Sequence, residues 1–339
     1  MLREGFHRSF EELCSILQRF EEIRQAGGPD KPLWYLPSLQ EQPDKLQTMR
    51  THLTRAETAF RAGNFAQVYE EQLALAQYFT GPEEDWISLH FYREALSSAQ
   101  KVKTDGGRKE AEANAILARV YLQQGQLDLA MEHYEVFHHL SLERPWWDAS
   151  GRTLHHCACE GLCAVYIQLA QGALQSQEHE HAIDILNKAL DIAKKGNTVL
   201  GDNESQSRAF KAVAKSLESE GKLAEAVQHL EKFAEISRNQ DQQENLEEAC
   251  MSTGIIYSKR GEYERGVEYL QQAYDIARSM RDVGWLQRAQ VCVGVASAQR
   301  MLSSFSAHIS SGNHNNVQLI STWKDSRQNA FDHSTAEKK

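Results

Sequence analysis

The residues best suited to chemistry lie in one short stretch, His155-His156-Cys157-Ala158-Cys159, which Cys163 follows. His155, Cys159 and Cys163 are spaced four residues apart, so a helix would carry all three on one face. Imidazole nitrogen and thiolate sulfur are ligands that zinc prefers, but a structural zinc site normally takes four of them. No second pair of ligands follows at the spacing of a zinc motif. We therefore interpret Cys159 and Cys163 as small packing residues, and we predict no metal and no cofactor.

The rest of the chain carries no recognisable catalytic motif. It has no G-x-x-x-x-G-K phosphate loop, no H-E-x-x-H zinc motif and no G-x-S-x-G nucleophile motif. The His138-His139 pair and the residues His179 and His181 have no companion nucleophile, and we interpret them as surface or helix-face residues. The sequence therefore predicts no catalytic residue and a protein that is not an enzyme.

Composition excludes several classes of partner. The 339 residues include 37 Lys and Arg against 47 Asp and Glu, a formal net charge of −10. Nucleic-acid binding needs a basic face, so we expect no nucleic-acid partner. We find no run of about 18 apolar residues and no apolar secretory core at the N-terminus, so we expect no membrane partner and no export. The six cysteines are then expected to be reduced thiols, in the cytosol or in an organelle open to it.

The elements that must position these residues are repeated helix pairs. The clearest unit runs from Glu247 to Ala273, with small residues at fixed positions and large apolar residues between them. This is the spacing of the tetratricopeptide repeat (TPR), in which small residues let two antiparallel helices approach. The third position of the unit is alanine five times, at Ala113, Ala158, Ala209, Ala249 and Ala289. The eighth is small each time, at Ala118, Cys163, Ala214, Gly254 and Gly294, and a turn glycine recurs at Gly125, Gly221 and Gly261.

The spacing between successive third-position alanines is 45, 51, 40 and 40 residues. In the interval of 51, seven additional residues lie between Tyr166 and Ala182. Seven residues amount to about two helical turns, which lengthen a helix and keep its apolar face in phase. We predict that this hairpin is lengthened and protrudes.

These patterns predict an all-α fold, a TPR-type α-solenoid of antiparallel helix hairpins with an N-terminal helix and a C-terminal capping helix. The predicted organisation is residues 1–43 as an N-terminal helix (3–26) and a Pro-rich loop, 44–107 as a helical region with a degenerate TPR hairpin, 108–305 as the TPR array with its capping helix, and 306–339 as a tail. In the first loop we expect Trp34 and Tyr35 to pack. In the Ser/His/Asn-rich tail we expect a loop over 306–316 and a short helix over 317–327.

A partner-binding face follows from the repeat, because first-helix positions two, five, nine, twelve and thirteen line TPR grooves. The residues predicted to bind a partner are Arg208, Lys211, Lys215, Lys259 and Arg288. Neighbouring lining positions hold Glu112, Arg119, Glu160 and Met251. Arg208, Lys211 and Lys215 form a basic ridge that could receive an acidic segment, although a merely solvated face would show the same charges. Position nine never carries the Asn of a chaperone-type carboxylate clamp, so we expect no clamp.

Several segments outside the generic repeat positions resemble the tetratricopeptide repeat protein 29 family. They include Met1-Leu-Arg-Glu-Gly-Phe-His-Arg-Ser-Phe, Glu41-Gln-Pro-Asp-Lys-Leu46, Leu53-Thr-Arg-Ala-Glu57, Glu132-His-Tyr-Glu135 and Trp323-Lys-Asp-Ser-Arg327. The resemblance implies a non-enzymatic protein of the cytoplasm and cytoskeleton, in the axoneme of motile cilia and flagella. It implies association with inner-arm dynein subunits and with a TPR protein that carries a MYND zinc finger. It assigns no binding residue, and it leads us to expect a longer N-terminal extension and tail in other members.

A different function remains open on the residues alone. A soluble cytosolic TPR adaptor, either a co-chaperone or a regulator of receptors or cortical proteins, would have the same repeat pattern. Extraction behaviour separates the two, because an axonemal component stays with demembranated axonemes until salt is added, whereas a soluble adaptor leaves with detergent.

Overall fold

The structure, a computed structural model, describes residues 1–29, 32–35, 37–196 and 204–326. Over these ranges the chain forms fourteen α-helices and a few short 3-10 turns, and its β-structure is limited to one bridge between Trp147 and Thr153. The helices follow one another as antiparallel hairpins, and all five third-position alanines are buried where the helices meet. The predicted all-α, TPR-type fold class is confirmed.

Internal contacts divide the chain into two compact units, and the division falls within one helix and near the end of the next. Unit 1 comprises Met1–Gln168 and Lys195–Leu200. Its helices are α1 (His7–Gly27), α2 (Pro43–Arg61), α3 (Phe65–Tyr78), α4 (Asp85–Ala99), α5 (Arg108–Gln123), α6 (Leu127–Ser141) and the first part of α7 (Leu154–Gln175). The predicted degenerate hairpin is formed by α2 and α3.

Unit 2 comprises Leu169–Lys194 and Gly201–Lys339. It holds the end of α7, most of α8 (His179–Gly196), α9 (Glu204–Glu220), α10 (Leu223–Asn239), α11 (Gln243–Lys259), α12 (Tyr263–Met280), α13 (Val283–Ser311) and α14 (His314–Ser326). The pairs α9/α10 and α11/α12 are complete TPR hairpins, and α13 is the first helix of the repeat that follows.

The N-terminal helix begins later than predicted, at His7 and not at residue 3, because a 3-10 turn ends at Gly5 with a φ of 83°. The helix is held to α2 by the buried carboxylate of Glu57, which accepts hydrogen bonds from the Ser9 amide (2.9 Å) and hydroxyl (2.7 Å). Burial alone would raise the pKa of Glu57, but the Ser9 hydrogen bonds and the charge of Arg61 outweigh it and lower the pKa.

The following loop does not pack by its aromatic residues, and that prediction is wrong. Trp34 and Tyr35 are 42% and 76% exposed, whereas Leu39 is completely buried among α1, α2 and α4 residues. A single well-placed leucine anchors the loop, and the larger rings stay at the surface.

The hairpins turn at glycines with left-handed backbone. Gly125, Gly221 and Gly261 have φ values of 73°, 85° and 80°, which other residues adopt only at a cost. The equivalent positions of the two remaining repeats hold Ala170 and Met301, and there the helix continues. The helices α7 and α13 consequently have 22 and 29 residues, against 17 in α9 and in α11. The predicted lengthening of α7 is confirmed, and its protrusion stays a prediction.

The C-terminal loop expected over 306–316 is wrong. The helix α13 runs on to Ser311 and ends at Gly312, whose φ is 59°, and α14 begins at His314. Serine and histidine suggested a loop, but no glycine or proline interrupts the chain between Met301 and Gly312. The Ser311 hydroxyl donates to the His308 carbonyl at 2.9 Å, so polar side chains are accommodated on the helix itself. The last residue of the predicted short helix, 327, lies outside the described residues.

The helix α7 is more apolar than the sequence analysis predicted, since no segment was expected to be long and apolar enough to span a membrane. Among the described residues it is the one helix that is long and apolar enough for a membrane span by length and composition alone. Core helices pass the same test, and Ala158, Leu162 and Val165 are buried within unit 1. The packed protein buries 39% of the apolar stretch of this helix.

The turn after α7 holds a non-glycine residue in the left-handed region of backbone conformation. This residue, Gln177, has a φ of 64°. The turns at Gly125, Gly221 and Gly261 share this conformation, but glycine lacks a Cβ and is therefore not strained there. Since a left-handed L-residue costs about 1–2 kcal/mol, Gln177→Gly is expected to raise the free energy of unfolding by about 0.5–1 kcal/mol in urea titrations. The matched change Gln175→Gly, at the last helical residue, is expected to lower it. A loss of stability in Gln177→Gly would contradict the strain.

Candidate partner-binding surface

Unit 2 places the predicted binding residues on the first helices of consecutive repeats. Arg208, Lys211 and Lys215 lie on α9, Lys259 on α11 and Arg288 on α13. The opposite side of α9 buries Ala209, Val213, Ala214 and Leu217, so the helical period directs the basic residues outward. We call the exposed face of α9, α11 and α13 the first-helix surface.

Two of the five predicted residues are engaged in ion pairs between neighbouring repeats. Lys211 Nζ lies 2.5 Å from a Glu248 carboxylate oxygen, and Lys259 Nζ lies 2.6 Å from a Glu218 carboxylate oxygen. The pairs are reciprocal, since α9 supplies the base of one and the acid of the other. All four side chains are roughly a third to a half exposed, so each pair is worth about 0–1 kcal/mol.

The remaining predicted residues are exposed. Arg208 lies 3.9 Å from Glu204 on its own helix. Lys215 is exposed and forms no ion pair among the described residues, so its charge is available to a partner. Arg288 is exposed on α13, and its positive charge acts on the buried carboxyl of Glu247. The basic ridge is therefore partly neutralised within the protein, and among the described residues Lys215 is its one cation without an ion pair.

An apolar cleft of about 260 Å³ opens between α11 and α13, next to the basic residues. Ile255 of α11 and Val291 and Val295 of α13 line it, with Leu270 of α12 buried beneath. Val291 and Val295 are 65% and 53% exposed, so two neighbouring apolar side chains face water on one side of α13. The cleft was not predicted from the sequence, although apolar residues at lining positions were the available signal.

The ninth position of the repeat changes along the first-helix surface. It holds Lys215 on α9, Ile255 on α11 and Val295 on α13. At this position the surface changes from a cation on α9 to apolar side chains on α11 and α13. This order is suited to a segment that carries an acidic residue on one side and apolar residues on the other.

Other lining positions are occupied by contacts within the protein. Met251 is completely buried, so its assignment to the groove is wrong. In unit 1, Glu112 accepts from Arg108 at 2.8 Å, and Glu160 accepts from Arg152 at 3.1 Å.

Glu247, at the first position of its repeat, is buried beneath the first-helix surface. Neither carboxylate oxygen has a hydrogen-bond partner among the described residues. Burial raises the pKa of Glu247 to about 7, against an opposing contribution from the charge of Arg288. A carboxyl group with this pKa changes charge near neutral pH.

The His/Cys stretch lies at the start of α7, in unit 1. Cys159 and Cys163 are buried, as expected of packing residues. The structure also brings His138 of α6 beside His155 and Cys159, a proximity that the sequence analysis did not foresee.

The hairpins and their small-residue contacts define a TPR scaffold, a class whose members bind other proteins. The tetratricopeptide repeat family model matches residues 249–284 and, separately, residues 111–135. The chain is 36% identical to tetratricopeptide repeat protein 29 of Macaca fascicularis, over 96% of this chain and 76% of that protein. It is 35% identical to tetratricopeptide repeat protein 29 of Homo sapiens, over 97% of this chain and 77% of that protein. The chain therefore belongs to the tetratricopeptide repeat protein 29 family.

A solved structure, the apo form of RapI, also resembles the chain. It gives a TM-score of 0.45 at 17% identity, over 71% of this chain and 83% of that one.

Proposed function

We propose that the protein is a non-enzymatic adaptor of the axoneme in motile cilia or flagella, where it supports inner dynein arm assembly and ciliary beating. Membership of the tetratricopeptide repeat protein 29 family supports the adaptor part of this proposal. The axonemal part is supported by what the resemblance of the sequence implies. The proposed partners are inner-arm dynein subunits and a TPR protein with a MYND zinc finger.

The observation that carries the binding mechanism is the change from Lys215 to Ile255 and Val295 along the first-helix surface. An acidic partner residue would pair with the exposed ammonium group of Lys215. Apolar partner residues would fill the cleft between α11 and α13, at about 25 cal/mol for each Å² of apolar surface removed from water. The charge fixes the orientation of the segment, and the apolar contacts supply most of the affinity.

The test is recovery of partners from salt-extracted axonemes by the tagged protein, with mass spectrometry of what accompanies it. Wild type is expected to recover inner-arm dynein subunits. The double variant Lys215→Glu with Val295→Asp is expected to lower that recovery about tenfold or more, because it reverses the charge and places a carboxylate in the apolar cleft.

The matched control is Lys188→Glu with Val317→Asp, which makes the same changes at exposed residues of α8 and α14, outside the first-helix surface. It is expected to recover dynein subunits as wild type does. Equal recovery by both double variants would refute the first-helix surface as the binding site. Recovery of chaperones or cortical proteins without dynein would instead favour the soluble cytosolic adaptor.

A further inference from the structure

Three potential metal ligands from two helices converge in unit 1. One ring nitrogen each of His138 and His155 and the Sγ of Cys159 all lie within 4.8 Å of one another. His155 and Cys159 are four residues apart on α7, and the His155 Nε2 lies 3.7 Å from the Cys159 Sγ. His138 reaches them from α6, with its ring centroid 4.8 Å from that of His155. The cluster joins the two helices that flank the loop of residues 142–153.

Packing alone leaves the polar atoms of this cluster poorly satisfied. Cys159 is 2% exposed, and the His138 Nε2 and His155 Nδ1 atoms are buried without a hydrogen-bond partner among the described residues. Buried polar atoms are nearly always hydrogen-bonded or ligating, and the unpartnered Nε2 of His138 belongs to the same cluster as His155 and Cys159. The Cys159 thiol is within hydrogen-bond distance of His155 Nε2, but this contact leaves His138 Nε2 without a partner in the described part of the chain.

The local electrostatics favour the ligating form of both histidines. Burial lowers the pKa of His138, as do His155, Lys195 and His139 around it. Burial and the neighbouring His156 lower the pKa of His155. Both imidazoles are then neutral near pH 7 and keep a lone pair for a cation.

Cys159 would have to lose its proton when a cation binds. Burial and the neighbouring Cys163 raise its pKa to about 12, and Lys195 opposes them. A bound divalent cation stabilises the thiolate strongly, so binding would release one proton from this residue. The positive charge of Lys195 opposes cation binding, and the three ligands suffice for only one ion.

We propose that His138, His155 and Cys159 form a site for a single zinc ion. Two ligands of a tetrahedral zinc ion, at about 2.1 Å for nitrogen and 2.3 Å for sulfur, lie about 3.6 Å apart. The 3.7 Å between His155 Nε2 and Cys159 Sγ already matches this value. The widest ligand separation, 4.8 Å, needs to shorten by about 1 Å, which side-chain rotation can supply.

Two imidazoles and one thiolate suit zinc, and the fourth position is left for water. The ion would clamp α6 to α7 across the intervening loop. Gly196 closes one side of the site, because a Cβ at that position would lie 2.6 Å from the Cβ of Cys159. This role is independent of the first-helix surface in unit 2.

The test uses the full chain, stripped of metal with a chelator under reducing conditions and titrated with Co²⁺ or Zn²⁺. We expect one Co²⁺ per chain with the thiolate-to-cobalt charge-transfer band. Zn²⁺ should displace the cobalt and raise the melting temperature. Cys159→Ser should abolish the charge-transfer band, and His138→Gln should weaken Zn²⁺ binding at least tenfold and remove the melting-temperature rise.

Cys250→Ser is the matched control, because Cys250 occupies the same fourth repeat position as Cys159, in α11, and is equally buried. It should bind Zn²⁺ as wild type does. If Cys159→Ser fails to fold, the result with His138→Gln alone tests the zinc site. This variant is expected to fold, because His138 is only partly buried. No charge-transfer band in wild type, a band that survives Cys159→Ser, or a melting-temperature rise that survives His138→Gln would overturn the proposal.

Discussion

Replacement of Gly161 by alanine is expected to destabilise unit 1 by about 1–3 kcal/mol or more. Gly161 lies on α7 where α6 crosses it, and an added Cβ would overlap the ring of Tyr134, with the ring Cδ1 only 2.6 Å away. Tyr134 is 6% exposed, so its ring cannot move aside unless α6 and α7 separate. The midpoint of urea unfolding measures the loss.

Gly172, on the same helix, supplies the control. An added Cβ there would have no heavy atom within 4 Å, and the backbone is helical. Gly172→Ala is therefore expected to stabilise the protein by up to about 1 kcal/mol, since alanine favours a helix interior. If both alanine variants changed stability in the same direction, close packing of Gly161 against Tyr134 would not explain the effect.

Glu247→Gln is expected to stabilise the protein at alkaline pH and to leave it nearly unchanged near pH 4.5. The pKa of Glu247 is about 7 when folded, against 4.5 for the exposed group. Between these values the folded protein keeps a proton that the unfolded chain has lost, so stability decreases as pH rises from about 4.5 to about 7. The difference between the folded and unfolded pKa of Glu247 corresponds to a loss of about 3 kcal/mol in the free energy of unfolding, as an upper bound.

Glutamine stays neutral throughout, so the gain over wild type at pH 8 is expected to be about 1–3 kcal/mol. Urea titrations at pH 5 and pH 8 measure it. Glu244→Gln, at an exposed position one turn earlier on α11, should show no such pH-dependent gain. A Gln variant less stable than wild type at pH 8 would mean that the folded protein stabilises the Glu247 carboxylate, contrary to its burial without partners.

The repeat and its hairpins were predictable from particular residues. The third-position alanines and the turn glycines impose close helix contacts and left-handed turns, and these depend little on the rest of the chain. Helix lengths were less predictable where the turn glycine is missing. At Met301 the serine-rich composition suggested a loop, but the absence of any helix-breaking residue before Gly312 decided in favour of a continuous helix.

The binding surface was only partly predictable. Lys211 and Lys259 were assigned to it from their own repeats, without regard to the carboxylates with which they pair in the neighbouring repeat. Lys211 and Glu248 are 37 residues apart, and Glu218 and Lys259 are 41 apart, close to the repeat period of 40. Opposite charges at that spacing were the signal that could have revealed the pairing.

His138 offered no comparable signal. It lies outside the α7 cluster in sequence, and only the packing of α6 on α7 brings it to Cys159.

The reciprocal ion pairs between α9 and α11 have a mechanical consequence. Lys211 and Glu218 are seven residues apart, so the two pairs brace the helices at points about 10 Å apart along the axis. Two such braces resist twisting of one hairpin against the next, although neither contributes much to stability. Salt screens exposed charges while the apolar contacts between the repeats persist. A rise in ionic strength is therefore expected to lower the torsional stiffness of this pair of repeats. This change should occur at salt concentrations well below those that unfold the repeats.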